Sequence, residues 1–115
     1  MRREVLLLEE MIDAADHAHS LVEGIDVAHL AADRQRRDAL LWNFTVLGEA
    51  SGQLRAEFKE RFRDVPWQLP MRMRNRIVHG YWSIDLEILH TTAETQLVQF
   101  ADQLRRVHAA IASEE

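Results

Sequence analysis

The segment Arg72-Met73-Arg74-Asn75-Arg76-Ile77-Val78-His79-Gly80-Tyr81-Trp82 sets three arginines beside a histidine and two aromatic residues. Arginine carries a permanently charged fork that matches phosphate oxygens bidentately, and histidine, with an ordinary pKa of about 6.5, gives or takes a proton at neutral pH. Those residue types suffice for metal-independent cleavage of RNA. One group deprotonates the 2′-hydroxyl, another protonates the departing 5′-oxygen, and positive charge stabilises the phosphorane between them. DNA lacks the 2′-hydroxyl and cannot react this way. Tyr81 and Trp82 are of a type that stacks on a base or ribose.

Helix geometry constrains that chemistry. Arg74 and His79 are five residues apart, about 140° around an ideal helix, whereas Asn75 and His79 share a face at i, i+4. Arg74 and His79 can meet on one phosphate in three ways: the helix distorts near Gly80, the long arginine wraps round, or a second subunit completes the site. The first would also lift Tyr81 onto an accessible loop.

The elements that must position these residues read as helices. Four glycines and two prolines in 115 residues, with 47% hydrophobic content, suit long helices better than short strands. Leu8, Ile12, Ala15, His19 and Val22 form a first helical stripe that stops at Gly24, and a connecting segment holds Val27, His29 and Leu30. Leu40, Phe44, Leu47, Ser51 and Leu54 form a second. Gly48 and Gly52 weaken that helix by about 1 kcal/mol each relative to alanine, which close approach of another helix would justify. Residues 58–66 are polar and arginine-rich, a loop with a short helical turn. A third helix covers 66–79, with Pro66 in its first turn and Gly80 at its end. The fourth stripe, Leu86, Leu89, Ala93, Leu97, Phe100, Leu104, Val107 and Ile111, is the clearest, with Ser83 or Asp85 as N-cap. No internal repeat or linker divides the chain, so residues 1–115 read as one all-α domain, an up-and-down bundle of about four main helices.

Composition excludes several classes. The chain has no cysteine, which removes thiol catalysis, Cys-type metal sites and thiol redox sensing and fits a reducing compartment. Fourteen basic against nineteen acidic residues, a net of −5, argue against a protein that coats nucleic acid by bulk electrostatics. That sum hides a polarity. Residues 55–76 hold seven basic and three acidic residues, a local +4, and the remaining seven basic and sixteen acidic residues give −9. Arg2-Arg3 followed by Val5-Leu6-Leu7-Leu8 superficially resembles a signal peptide, but Glu9 and Glu10 end the apolar run, and nothing approaches the roughly 20 apolar residues of a membrane span. The expectation is a soluble, cytoplasmic protein.

The string Arg74-Asn75-Arg76-Ile77-Val78-His79-Gly80-Tyr81, with Val65-Pro66-Trp67 upstream, Asp85 downstream and Leu47-Gly48-Glu49-Ala50 in the second helix, resembles the Arg-x4-His-x-Tyr pattern of HepT-like toxins of the HEPN superfamily. The resemblance spans the middle half of the chain. It implies a metal-independent endoribonuclease, the toxin of a toxin–antitoxin pair, in which two protomers face their motifs into one cleft. Arg74 and His79 then match the catalytic pair, His79 as acid or base and Arg74 as phosphate clamp. Asn75 matches a polar residue that orients the site, Arg72 and Arg76 join it in holding RNA, and Tyr81 matches the tyrosine modified with AMP by an MntA-like nucleotidyltransferase antitoxin. No cofactor is implied. The chain departs from the pattern at Arg72, where members commonly carry glycine, and at Pro70; the extra arginine either strengthens phosphate binding or blocks the cleft. The alternative reading is a catalytically silent helical partner that binds a nucleotidyltransferase or nucleotide.

Other residues carry plainer expectations. Glu49, in an apolar stretch, would need a partner if buried, since a lone buried carboxylate is costly, and is expected to pair with an arginine of the 72–76 cluster and so position the motif; the alternative is a surface glutamate. Asp85 suits an N-cap better than a reactive acid. Trp67 and Trp82 suit packing. Glu87 with His90 and Asp16 with His19 have di-iron spacing, but the carboxylates needed on matching helices are not evident, so no metal site is expected. His19 lies on an apolar stripe and reads as a satisfied core or interface residue. Glu9, Asp13, Asp16 and Glu23 form an acidic face on the first helix, either solvated or turned to a basic partner.

Overall fold

A computed structural model describes residues 2–80 and 84–114. The chain is all-α. Its elements are α1 (Arg2–Val22), α2 (Val27–Ala32), α3 (Arg34–Gln53), α4 (Ala56–Arg61), α5 (Gln68–His79), α6 (Leu86–Thr91), a π-helical segment (Thr92–Gln96) and α7 (Leu97–Ala112). Four long rods dominate: α1, α3, α5 and the run from α6 to α7. α1 packs on both α3 and α7, and α3 packs on α5. The core is apolar and continuous, with Leu8, Met11, Ala15 and Val22 of α1 meeting Leu40, Phe44 and Leu47 of α3 and Leu97, Phe100, Leu104 and Ile111 of α7. The period-3.6 stripes of the sequence thus become the buried faces.

α1 ends as expected, with Gly24 at φ 75°, the left-handed conformation that glycine adopts without Cβ strain. Other boundaries differ. The connecting segment contains α2, a helix too short to show a period, and it is capped by Asp26, whose Oδ1 accepts the His29 N–H at 2.8 Å. Its anchor is Leu30, which is fully buried. α3 starts at Arg34, before the apolar stripe begins at Leu40, because Asp33 caps it by accepting the Arg36 N–H at 3.1 Å. The expected short turn is α4, and it begins at Ala56, ahead of the 58–66 stretch.

α5 begins at Gln68 rather than Pro66, which lies outside the helix with Trp67 as N-cap residue. Pro70 is the third helical residue, where its missing N–H would have had no helical partner. Trp67 is a packing residue: it is buried, its Nε1–H donates to the Phe62 carbonyl at 3.0 Å, and its ring meets Phe100 edge-on. Ser51 Oγ donates to the Trp67 carbonyl at 2.9 Å and ties the start of α5 to the end of α3.

The fourth stripe is one rod with a π-helical interruption that its spacing does not reveal. Leu97 N–H reaches back to the Thr92 carbonyl, and Thr92 Oγ1 and Thr95 Oγ1 donate to the Ile88 and Thr91 carbonyls, at 2.7 and 2.8 Å. The Ala93 carbonyl is then met by His19 Nδ1 at 3.1 Å, which satisfies the histidine on the apolar stripe of α1. His90 is buried with Nε2 2.6 Å from the Ile25 carbonyl, a structural tether between α6 and the α1–α2 turn. The acidic face of α1 is largely paired within the chain: Glu9 with His108 at 3.0 Å, Asp16 with Arg105, and Glu23 with His19 at 3.4 Å. No described helix is long and apolar enough to cross a membrane.

Candidate active site

α5 carries the candidate residues on different sides of one helix. Met73, Ile77 and Pro70 are buried and fix its rotation against the bundle. Arg74 follows on one flank, toward α3, and Arg72, Asn75, Arg76 and His79 face solvent. The helix is α-helical through His79, and Gly80 N–H closes it onto the Arg76 carbonyl at 2.9 Å. Gly80 has φ −128°, so the helix ends there without entering the left-handed region. The distortion that would swing His79 toward Arg74 is therefore not present.

Gly48 sets the position of Arg74. A Cβ at residue 48 would overlap Arg74 Cβ and lie 2.9 and 2.8 Å from its Cγ and Cδ, so only glycine lets α3 come this close. Gly52, by contrast, has nothing within 4 Å of a hypothetical Cβ, and close helix approach does not account for it. Beside Gly48, Glu49 Oε1 lies 2.9 Å from Arg74 Nε. The pairing expected of Glu49 thus falls on Arg74. The Nε–H is buried without an aligned hydrogen-bond acceptor, so the contact is held by charge attraction rather than by directed hydrogen bonding. Arg74 Nη1 is also 3.5 Å from Asn75 Oδ1, at the outer limit of a hydrogen bond. Arg74, Glu49 and Asn75 form one group.

A second group lies round the helix. Arg76, His79, Gly80 and Asp85 line a cleft of about 330 Å³ whose apolar wall includes Ile77 and Ile88. Asp85 is the N-cap of α6: its Oδ1 accepts the Glu87 N–H at 3.0 Å and the Ile88 N–H at 3.4 Å, which fixes the cleft's far wall. Arg72 is exposed and is not among the residues that line this cleft. Within one protomer, Arg76 rather than Arg74 shares the cleft with His79. Tyr81, Trp82 and Ser83 lie outside the described residues, so the modification expected at Tyr81 has no structural description.

Two exposed apolar residues escaped the sequence reading. Trp42 is 66% exposed and Val78 55% exposed. Trp42 lies two helical turns from Glu49 on α3, and Val78 one turn beyond Arg74 on α5, so both border the Arg74 flank. The signal in the sequence was Trp42 standing off the Leu40, Phe44, Leu47 stripe.

The family model for ribonuclease HepT-like proteins matches residues 11–107. The chain is 24% identical over 90 residues to a "Probable ribonuclease HepT" of Thermococcus cleftensis, covering 78% of this chain and 82% of that protein. It is 28% identical over 82 residues to a "Putative RNase" of Methanocaldococcus jannaschii, covering 71% and 75%. A "Putative RNase" of Caldanaerobacter subterraneus subsp. tengcongensis is 24% identical over 100 residues, covering 87% and 89%. No solved structure matches. With a family match that runs from α1 to α7 and an all-α bundle beneath it, the chain belongs to the ribonuclease HepT-like family of HEPN-type ribonucleases.

Proposed function

We propose that the protein is a metal-independent endoribonuclease toxin that works as a homodimer, with His79 as acid–base group and Arg74 as phosphate clamp. The observation that carries this reading is the division of α5: His79 opens into a cleft with Arg76, while Arg74 is held on the adjoining flank by Gly48 and Glu49. Arg74 does not line the cleft that holds His79 in its own protomer, which supports a site shared by two. Trp42 and Val78 on that flank supply exposed apolar surface of the kind that self-association covers.

In this mechanism the RNA strand is splayed so that the 2′-oxygen, phosphorus and 5′-oxygen fall in line. His79 takes the 2′-hydroxyl proton or delivers one to the 5′-oxygen, and a water molecule makes the other transfer. Arg74, Asn75 and Arg76 bind the non-bridging oxygens of the scissile phosphate, where charge grows in the transition state, and Arg72 helps to hold the RNA. The products are a 2′,3′-cyclic phosphate and a 5′-hydroxyl. Regulation in this reading acts through Tyr81, next in sequence to Gly80: AMP attached to its hydroxyl by an MntA-like nucleotidyltransferase antitoxin adds a bulky anion that competes with RNA for the arginines.

The test is cleavage of a single-stranded oligoribonucleotide in excess chelator. Wild-type protein is expected to give cyclic-phosphate ends, and a 2′-deoxy sugar at the cleaved position abolishes cutting there. Cleavage of the 2′-deoxy position would reject the mechanism. For the modification, incubation with the cognate nucleotidyltransferase and ATP adds one or more AMP masses to wild type and none to Tyr81→Phe; an unmodified wild type removes that part of the reading.

A further inference from the structure

The basic segment is not uniformly available to an anion. Of its seven cations, Arg55 pairs with Glu4, Arg61 with Glu114, Arg63 with Glu60 and Arg74 with Glu49. Lys59 Nζ rests 3.9 Å from the Met71 sulfur. Arg72 and Arg76 have no carboxylate within ion-pair distance among the described residues, and both are exposed. Arg72 and Arg76, on one face of one helix, are thus the exposed cations of residues 55–76 without a carboxylate partner among the described residues, while Lys59, also without one, is partly buried.

That face ends at His79. On the regular α5 helix, Arg76 is about 40° round from Arg72 and about 6 Å along the axis, and His79 is a further 4.5 Å or so along, within about 60° of both. Arg74 is about 160° from Arg72, on another side. Arg72, Arg76 and His79 thus form a straight stripe of two uncompensated guanidinium groups leading to the cleft. The C-terminal end of α5 carries about half a negative elementary charge, which by itself repels an anion. Two full positive charges outweigh it, so the stripe attracts a polyanion and not the reverse.

We propose that this stripe is a phosphate track, and that Arg72 is a subsite outside the cleft that grips the phosphate next to the one held by Arg76. The ligand is single-stranded RNA lying along α5, with its scissile phosphate at His79 and at least one further nucleotide extending over Arg72. A substrate long enough to reach Arg72 is bound more tightly than one that ends at the cleft. The inference rests on the ribonuclease reading and deepens it. It favours the binding role for Arg72 over the obstructing one.

The experiment measures kcat/KM for a dinucleotide and for an octanucleotide, across a salt series, with wild type, Arg72→Ala and Arg72→Lys. Each phosphate contact to single-stranded nucleic acid contributes about 0.7 to the slope of log affinity against log salt. For the octanucleotide, Arg72→Ala is expected to lower that slope by about 0.7 and to lower kcat/KM roughly tenfold at low salt, mainly through KM. Arg72→Lys, which keeps the charge, retains the wild-type slope. The dinucleotide loses several-fold less than the octanucleotide. Equal losses on both substrates, or an unchanged slope in Arg72→Ala with the octanucleotide, overturn the track. Failure of wild type to cut either substrate overturns the ribonuclease reading itself, a separate outcome.

Discussion

Arg74 and Arg76 are two residues apart on the same helix and live in opposite circumstances. Arg74 is half-buried, packed on Gly48 and facing Glu49; Arg76 is exposed, has no carboxylate partner among the described residues and lines the cleft with His79. Their charge is identical, and their work differs because of what surrounds them. A residue held by neighbours on both sides delivers geometry, since its position is fixed before any ligand arrives. A residue with no neighbour delivers field, since its charge is not spent within the protein. Counting both as one basic cluster would erase the difference.

The sharpest way to break the comparison is complementation. Arg74→Ala and His79→Ala are each expected to lose about two to four orders of magnitude in cleavage rate. If Arg74 serves His79 of the other protomer, mixing the two inactive proteins under subunit exchange restores roughly a quarter of wild-type activity, because half of random dimers are mixed and each holds one intact site. No recovery, with mixed dimers shown by mass, places both residues in one protomer's site and contradicts the account.

The glycines of α3 give a contrast in stability. Gly48→Ala drives a methyl group into Arg74 and is expected to cost about 1 to 3 kcal/mol. Gly52→Ala meets nothing and gains up to about 1 kcal/mol in helix propensity. Urea denaturation of both reads the difference, and equal effects would remove the claim that Gly48 exists for the approach of α5.

Glu49→Gln separates position from stability. Glu49 is exposed and Arg74 half-buried, so folding loses about 1 kcal/mol or less. Cleavage falls about tenfold, the consequence of an arginine that no longer waits in place. A variant with wild-type activity would make the contact incidental.

The smallest effect concerns a third arginine. Glu4 is buried, and Arg55 reaches it with two hydrogen bonds, from Nε at 3.1 Å and Nη2 at 3.2 Å. Burial pushes the Glu4 carboxyl up, and the Arg55 hydrogen bonds and charge outweigh it, leaving the group below its ordinary value. A lowered carboxyl pKa stabilises the fold at pH above the unfolded value of about 4.3, and that contribution disappears as pH falls through the lower folded value. Thermal unfolding of wild type should therefore weaken through that acid window more steeply than that of Glu4→Gln; parallel curves would show that Glu4 does not contribute.

Much of this was legible in the residues. The four long rods follow from stripes at helical spacing, Gly24 and Gly80 mark real ends, and Asp85 is the cap that its place before an apolar run suggests. Gly48 announced a close approach. Three features were hidden for physical reasons. α2 is too short to display a period, although Asp26 and Asp33 were its boundary signals. The π-helical segment keeps the apolar stripe in phase while rerouting backbone hydrogen bonds, so only the threonines hint at it. Which flank of α5 meets α3 depends on the burial of Met73 and Ile77 together, a tertiary decision that put Arg74 with Glu49 and left Arg76 with His79.

The most direct measurement is RNA cleavage in excess chelator by wild type and His79→Ala, purified alike and matched by circular dichroism. The account predicts cleavage by wild type, undiminished by the chelator, and its loss by at least about a hundredfold in His79→Ala. Robust cleavage by a folded His79→Ala would contradict it.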